Sequence, residues 1–224
     1  MWDLKGVKMK PILFNAEMVR AIVDGRKVQT RRPIDWDISN NMSGDAASGY
    51  FVQTDDGLID ALKLYRYQKG DILYARETWK IKWLDDNELE MAITYEADEI
   101  WEYIKFSPNR FSKFKKYYDK KGWQPSIFMP KEAAMLFLEV TDIKIERVRD
   151  IDYTGALAEG IEETEIYNDL LDHCSAIGAG TGMLPVQAFE KLWEDLYSEK
   201  GYGWKDNPFV WVIEFERCEK PNEN

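Results

Sequence analysis

Residues 130–151, PKEAAMLFLEVTDIKIERVRDI, decide how this chain is read. Pro130 leads a turn. A long β-rich run follows, with Ile143, Ile145 and Val148 interleaved with charged residues, as in a strand with one wet face. More strands lie outward from it. KGDILYARETW (69–79) opens on a Gly-Asp turn and becomes a strand. LEMAITYEA (89–97) is a second, joined to the first by the polar KWLDDNE. NPFVWVIEFERC (207–218) is a strong closing strand. PVQAFEKLWEDLYSEK (185–200) is an amphipathic helix, with Phe189, Leu192, Trp193 and Leu196 at helical spacing. DYTGALAEGI (152–161) reads as a short helix ending near Gly160. FNAEMVRAIVD (14–24) is a further helix: Asn15 is its N-cap, Met18 and Ile22 lie on its buried stripe, and Gly25 stops it.

Residues 35–60 are rich in Asn, Asp, Ser and Gly, and read as a long irregular loop with a small hairpin at YFVQTDDGLI. The order is helix, several strands, helix, strand, without regular βαβ alternation. That predicts an α+β fold with a mainly antiparallel, barrel-like sheet. The strands near 72–79, 89–96, 135–149 and 208–217 are expected to form one partly closed barrel. No internal repeat is present.

The chain has 224 residues, enough for one domain with insertions, here expected at about 35–68, 98–122 and 162–184. It is 45% hydrophobic and 32% charged, the balance of a soluble globular protein. No run of about 18 apolar residues exists, and the start lacks an apolar signal core, so neither a membrane partner nor secretion is expected. Cys174 and Cys218 form no metal-ligand spacing. Together these point to a reducing cytoplasm, with no metal and no cofactor. The net charge of -11 argues against broad binding to duplex nucleic acid and leaves room for one local basic site.

Two segments are locally basic. GRKVQTRRP (25–33) carries Arg26, Lys27, Arg31 and Arg32 just after a helix end. A lysine of lowered pKa can take a threonine proton, so Lys27 and Thr30 form a candidate base and nucleophile. On an ideal strand, residues three apart face opposite sides, so a shared site needs a turn or bulge near Val28. The plainer reading is an edge strand blunted by charge. YIKFSPNRFSKFKKYYDKKGW (103–123) has seven basic residues and one acid, with aromatic rings between them. Lys113, Lys115 and Lys116 are its candidate phosphate contacts, with the rings as stacking platforms for a single strand. The competing reading is a solvated helix whose aromatics pack inward. His173 and Cys174 are adjacent, and adjacent side chains generally point apart, which argues against a catalytic dyad. They are read as lying in a loop before the Gly-rich SAIGAGTG, which lacks the lysine of a phosphate-binding loop.

PILFNAEMVRAIVDGRKVQTRRP, GDILYARETW, WQPSIFMPKEAAMLFLEVTDIKIERVRDI with ALAEGI, FEKLWEDLY and WKDNPFVWVIEFER, in that order, resemble the ASCH-domain family. The likeness is greatest to its phage- and prophage-borne members. The resemblance implies a PUA-like β-barrel with flanking helices, inserted loops and a cleft beside the helix before the first strand. It implies recognition of a nucleotide, a modified nucleoside or base, or a short single-stranded RNA. Some small members are amidohydrolases that deacetylate acetylcytidine. Their Gly-Arg-Lys-x-x-Thr pattern and a glutamate in a later helix carry over to Lys27, Thr30 and Glu159. Val28 stands where many relatives have threonine. On this reading GRKVQTRRP lines a cationic cleft: Arg26, Arg31 and Arg32 contact ligand, and Arg76 and Glu77 of ARETW pair beside them. The alternatives are hydrolysis of an N-acylated pyrimidine nucleoside, with Lys27 as base, Thr30 as nucleophile and Glu159 as proton relay, or a phage accessory protein-interaction module. Protein partners and oligomeric state are not legible.

Overall fold

The structure is a computed structural model describing residues 9–98, 100–120, 122–162, 164–177 and 180–221. It is mixed α+β. The first elements are β1 (Lys10–Leu13), α1 (Ala16–Val23), β2 (Gln29–Pro33), α2 (Trp36–Asn40), β3 (Met42–Asp45), β4 (Gly49–Thr54) and β5 (Gly57–Asp60). Then come β6 (Ile72–Arg76), β7 (Trp79–Asp85), β8 (Glu90–Tyr95), β9 (Trp101–Lys105) and α3 (Pro108–Asp119). The last are β10 (Phe137–Arg147), α4 (Tyr153–Ala158), α5 (Glu165–Ile177), α6 (Leu184–Tyr197) and β11 (Phe209–Cys218). They form two compact units. Unit 1 holds the described residues through Val23, then Asp71–Glu139, and those from Arg217 on; unit 2 holds Asp24–Gly70 and Val140–Glu216.

In unit 1, α1 starts where Asn15 Oδ1 accepts the Met18 N–H at 2.8 Å. The helix buries Val19, Ala21 and Ile22. β1 pairs in parallel with β6, Ile12 beside Ala75, and β6 pairs antiparallel with the first residues of β10. β7, β8 and β9 form their own antiparallel sheet, with a bulge between Ile81 and Trp83. Its inner face presents Met91, Ile93 and Tyr95 to a core completed by Phe106, Phe111, Phe114 and Met129. The expectation of one antiparallel barrel needs correcting here. β8 lies in a different sheet from β6, the β1–β6 pair is parallel, and no closed barrel is found among the described residues. A hairpin partner on each side satisfies β8's backbone, so it has no call on β6 or β10.

In unit 2, β2 pairs antiparallel with β11, Thr30 opposite Ile213 and Arg32 opposite Trp211. Phe189 and Trp193 of α6 join Val210 and Val212 of β11, with Val148, Ile151 and Ala156, in a second core. Residues 35–60 are not the expected irregular loop. They contain α2 and the three-stranded meander β3–β4–β5, which includes the expected hairpin. Asp45 makes the first turn: its Oδ1 accepts from the Ala47 and Ser48 amides at 2.9 and 2.8 Å. Gly44 lies so close to the Gly49 carbonyl that a β-carbon would not fit. His173 also departs from its expected loop: it lies on α5, exposed, with Cys174 buried beside it.

Candidate functional site

The GRK segment is pinned on both sides by backbone. The Val28 N–H donates to the Ala158 carbonyl at 2.9 Å, and the Phe215 N–H donates to the Val28 carbonyl at 2.9 Å. Lys27 and Glu159 form an isolated antiparallel bridge. The sequence sets this up through α4. Asp152 Oδ1 caps the helix by accepting the Gly155 N–H at 2.6 Å, and Gly160, at φ +73°, ends it directly after Glu159.

Side chains then build a ladder of alternating charge. Lys27 Nζ donates to Glu159 Oε2 at 2.8 Å and to the Glu159 carbonyl at 2.9 Å. Arg31 Nη1 donates to Glu159 Oε1 at 3.1 Å, and its Nη2 donates to Glu146 Oε2 at 3.0 Å. Lys144 Nζ lies 3.3 Å from Glu146 Oε1 and 3.2 Å from Glu214 Oε1. Side-chain exposure rises along it, from 1% at Lys27 through 3% at Arg31 to 44% at Lys144. Burial lowers the Lys27 pKa; Glu159 opposes this, and Arg32 and Arg31 add to the lowering.

The outer part of the ladder borders a cavity of about 350 Å³, whose lining includes Gln29, Arg31, Glu146, Asp152 and Gly155. Gln29 Nε2 donates to the Gly155 carbonyl at 2.8 Å. The charged lining is Arg31 and Lys144 against Glu146, Asp150 and Asp152, so this cavity is mixed in charge rather than cationic. A β-carbon at Gly155 would lie 3.2 Å from Arg31 Nη2 and 3.1 Å from Asp152 Oδ1, so glycine there lets the guanidinium approach the helix.

The structure therefore brings Lys27, Arg31 and Glu159 together. Thr30 is only 1% exposed and sits between Gln29 and Arg31, whose side chains both reach toward α4; alternation turns Thr30 to the other face of β2. The bulge that would join Lys27 to Thr30 is not formed, and no hydrogen bond links them among the described residues. Arg32, on Thr30's face, donates from Nη1 to the Tyr197 hydroxyl at 2.9 Å. Arg26 donates to the Glu162 carbonyl at 2.8 Å and pairs with Asp24 at 2.9 Å. Glu146, Gln29 and Gly155 were not singled out from sequence. Glu146 reads only as one more charge on the wet face of β10.

The remaining candidates lie in unit 1. Arg76 and Glu77 do not pair, because neighbours on extended chain point apart. Arg76 Nη1 donates to the Ile127 carbonyl at 3.2 Å. Glu77 is buried and its Oε2 has no hydrogen-bond partner among the described residues. Burial, with Asp98 and Glu96 nearby, pushes its pKa up to about 7. Lys113, Lys115 and Lys116 lie on α3, and Lys115 pairs with Asp86 at 2.6 Å. Phe106, Phe111 and Phe114 are core residues, so these rings are not the expected platforms. Among the described residues, no cluster of three or more His, Cys, Asp or Glu is arranged to hold a metal, and no helix is long and apolar enough to cross a membrane. Comparison with protein-family models, curated proteins and solved structures found no match for this chain.

Proposed function

We propose that unit 2 recognises a nucleoside, or a modified base at the end of a short RNA, in the cavity beside Gln29 and Arg31, as the ASCH resemblance implies. One observation carries the reading: a buried, pre-paired Lys27–Glu159–Arg31 cluster ends at a cavity of small-ligand size. A guanidinium held by two carboxylates loses little freedom when a ligand arrives. The mixed lining favours the donors and acceptors of a base edge over a bare phosphate. A PUA-like barrel remains part of this proposal, with β2 and β11 among its strands. The test is calorimetric titration of nucleosides, their monophosphates and acetylcytidine. At least one should bind saturably, and Gln29→Met should weaken it by about tenfold, the worth of one buried hydrogen bond. No binding across the panel, or equal binding by the variant, overturns the proposal.

The hydrolase reading keeps one observation in its favour: a buried lysine of lowered pKa beside a carboxylate. Against it, Glu159 holds that amine at 2.8 Å and favours its charged form. Acetylcytidine turnover by the wild type, lost in both Lys27→Ala and Thr30→Ala, would establish catalysis. Binding without turnover assigns Lys27 to holding the site.

A further inference from the structure

We infer that the outer face of the β7–β8–β9 sheet is a stacking platform for single-stranded nucleic acid, carried wholly by unit 1. Strand register sets Lys80, Thr94 and Trp101 in one row across the sheet, and Trp83, Ala92 and Tyr103 in the next. Met91, Ile93 and Tyr95 fill the inner face, so Ala92 and Thr94 point outward. Both are 0% exposed, while Trp83, Trp101 and Tyr103 stand 42%, 51% and 56% exposed. Three large rings thus crowd over two small residues on a face turned to water, where soluble proteins seldom group apolar surface without use.

The ring geometry selects the ligand. Trp83 and Tyr103 meet edge to face, centroids 5.9 Å apart at 79°, and Trp101 tilts 43° to Tyr103 at 5.5 Å. Rings in edge or tilted contact leave flat faces available to a base. Cations stand at the same end of the sheet. Lys82 Nζ lies 5.7 Å from the Trp101 centroid, and Lys80 Nζ lies 4.0 Å from that of Trp123, a fourth ring, 37% exposed. No carboxylate pairs with Lys80 or Lys82 among the described residues. Of the described acids of this face, Asp85 and Glu90 share the far row with Lys105, which pairs with Glu88, and exposed Glu96 follows Thr94 by two, its N–H donating to the Thr78 carbonyl at 3.0 Å. Glu102 sits opposite Ile93, in an inward row. Flat rings for bases, flanked by lysines that lean on those rings and that no described carboxylate holds, are what a single strand requires. A duplex hides its base faces and gains nothing from the rings.

Fluorescence anisotropy with labelled thymidylate and uridylate dodecamers, and with a duplex of equal length, tests this. Both single strands should bind at low salt, and the duplex should bind more weakly. Trp101→Ala and Tyr103→Ala should each weaken binding by about tenfold or more at unchanged far-UV dichroism, since both rings are exposed. Two phosphate contacts at about 0.7 each predict a log-log salt slope near -1.4, reduced toward zero in the Lys80→Ala, Lys82→Ala double variant. Lys113→Ala, Lys115→Ala, Lys116→Ala should bind as the wild type does. No binding of either single strand overturns the proposal. So does full affinity in both ring variants. A wild-type dimer that Trp101→Ser abolishes in sedimentation also overturns it, and assigns the face to a second copy of the chain.

Discussion

Glu159 is the residue on which the unit 2 site turns, because one carboxylate balances two buried cations. Removing one partner of a buried pair leaves a charge with neither water nor counterion, at a cost of about 3–5 kcal/mol. Glu159→Gln should therefore lower the unfolding free energy, read from urea melts, by that amount. Lys144→Ala, at the wet end of the same ladder, should shift it by under about 1 kcal/mol, since exposed pairs contribute little. Equal effects would mean that burial does not grade the ladder. Glu77 makes a pH prediction. Its folded pKa of about 7 lies above its ordinary 4.5, so the fold favours the protonated form. Its contribution is whole below pH 4.5 and is lost as pH rises through 7, by up to about 3 kcal/mol. The melting temperature of the wild type should thus fall relative to Glu77→Gln between about pH 5 and 8. A constant difference would sink this account. Lys27 and Arg31 were singled out by the basic GRKVQTRRP stretch and Glu159 by the ASCH resemblance; that the three side chains meet is what the structure adds. Glu146 was not: it meets Arg31 across 115 residues, and sequence spacing carries no trace of such a meeting.

Helix α4 shows how an element is tuned to its site. Alanine would favour the helix by about 1 kcal/mol over glycine at position 155. A β-carbon there, however, meets Asp152 Oδ1, Arg31 Nη2 and Ile151 Cγ1, all within 3.2 Å. These are the cap, the buried guanidinium and a core side chain, and none is a loose end. Gly155→Ala should therefore destabilise the protein despite its better propensity, and weaken nucleoside binding by displacing Arg31. A rise in melting temperature with affinity intact would show that the neighbours yield freely. Elements with strong periodicity or caps were readable: α1 from Asn15 and Gly25, α6 from its apolar stripe, β10 from alternation. α2 and β3 were missed because they are short and polar, and the order there rests on turn contacts such as those of Asp45; α5 carries Ile166, Leu170 and Cys174 at helical spacing and was passed over beside the Gly-rich SAIGAGTG. α3 was legible as a basic-aromatic segment, yet which way its rings face depends on the sheet it covers.

The two units are threaded from separated segments: unit 1 from three and unit 2 from two. Two of the crossings fall inside strands, between Glu139 and Val140 of β10 and between Glu216 and Arg217 of β11. Composition cannot reveal this, because strand residues on either side of a crossing look alike. β11 supplies unit 2 with the partner of β2 and with buried Val210, Val212, Ile213 and Phe215. At about 1.5–3 kcal/mol for each large side chain, their loss rivals the whole stability of a typical domain. A chain ending at residue 205 should show no cooperative melt by far-UV dichroism and rapid digestion by protease. A sharp transition near the wild-type temperature would refute this. The threading also constrains how the molecule is born. A ribosome delivers residues in order, and most domains close as soon as their own segment emerges. Here β2, residues 29–33, leaves the tunnel long before its partner, which emerges only with residues 210–214. While the chain between them is made, the nascent protein carries an unzipped strand and a half-built core, the kind of exposed apolar surface that chaperones hold.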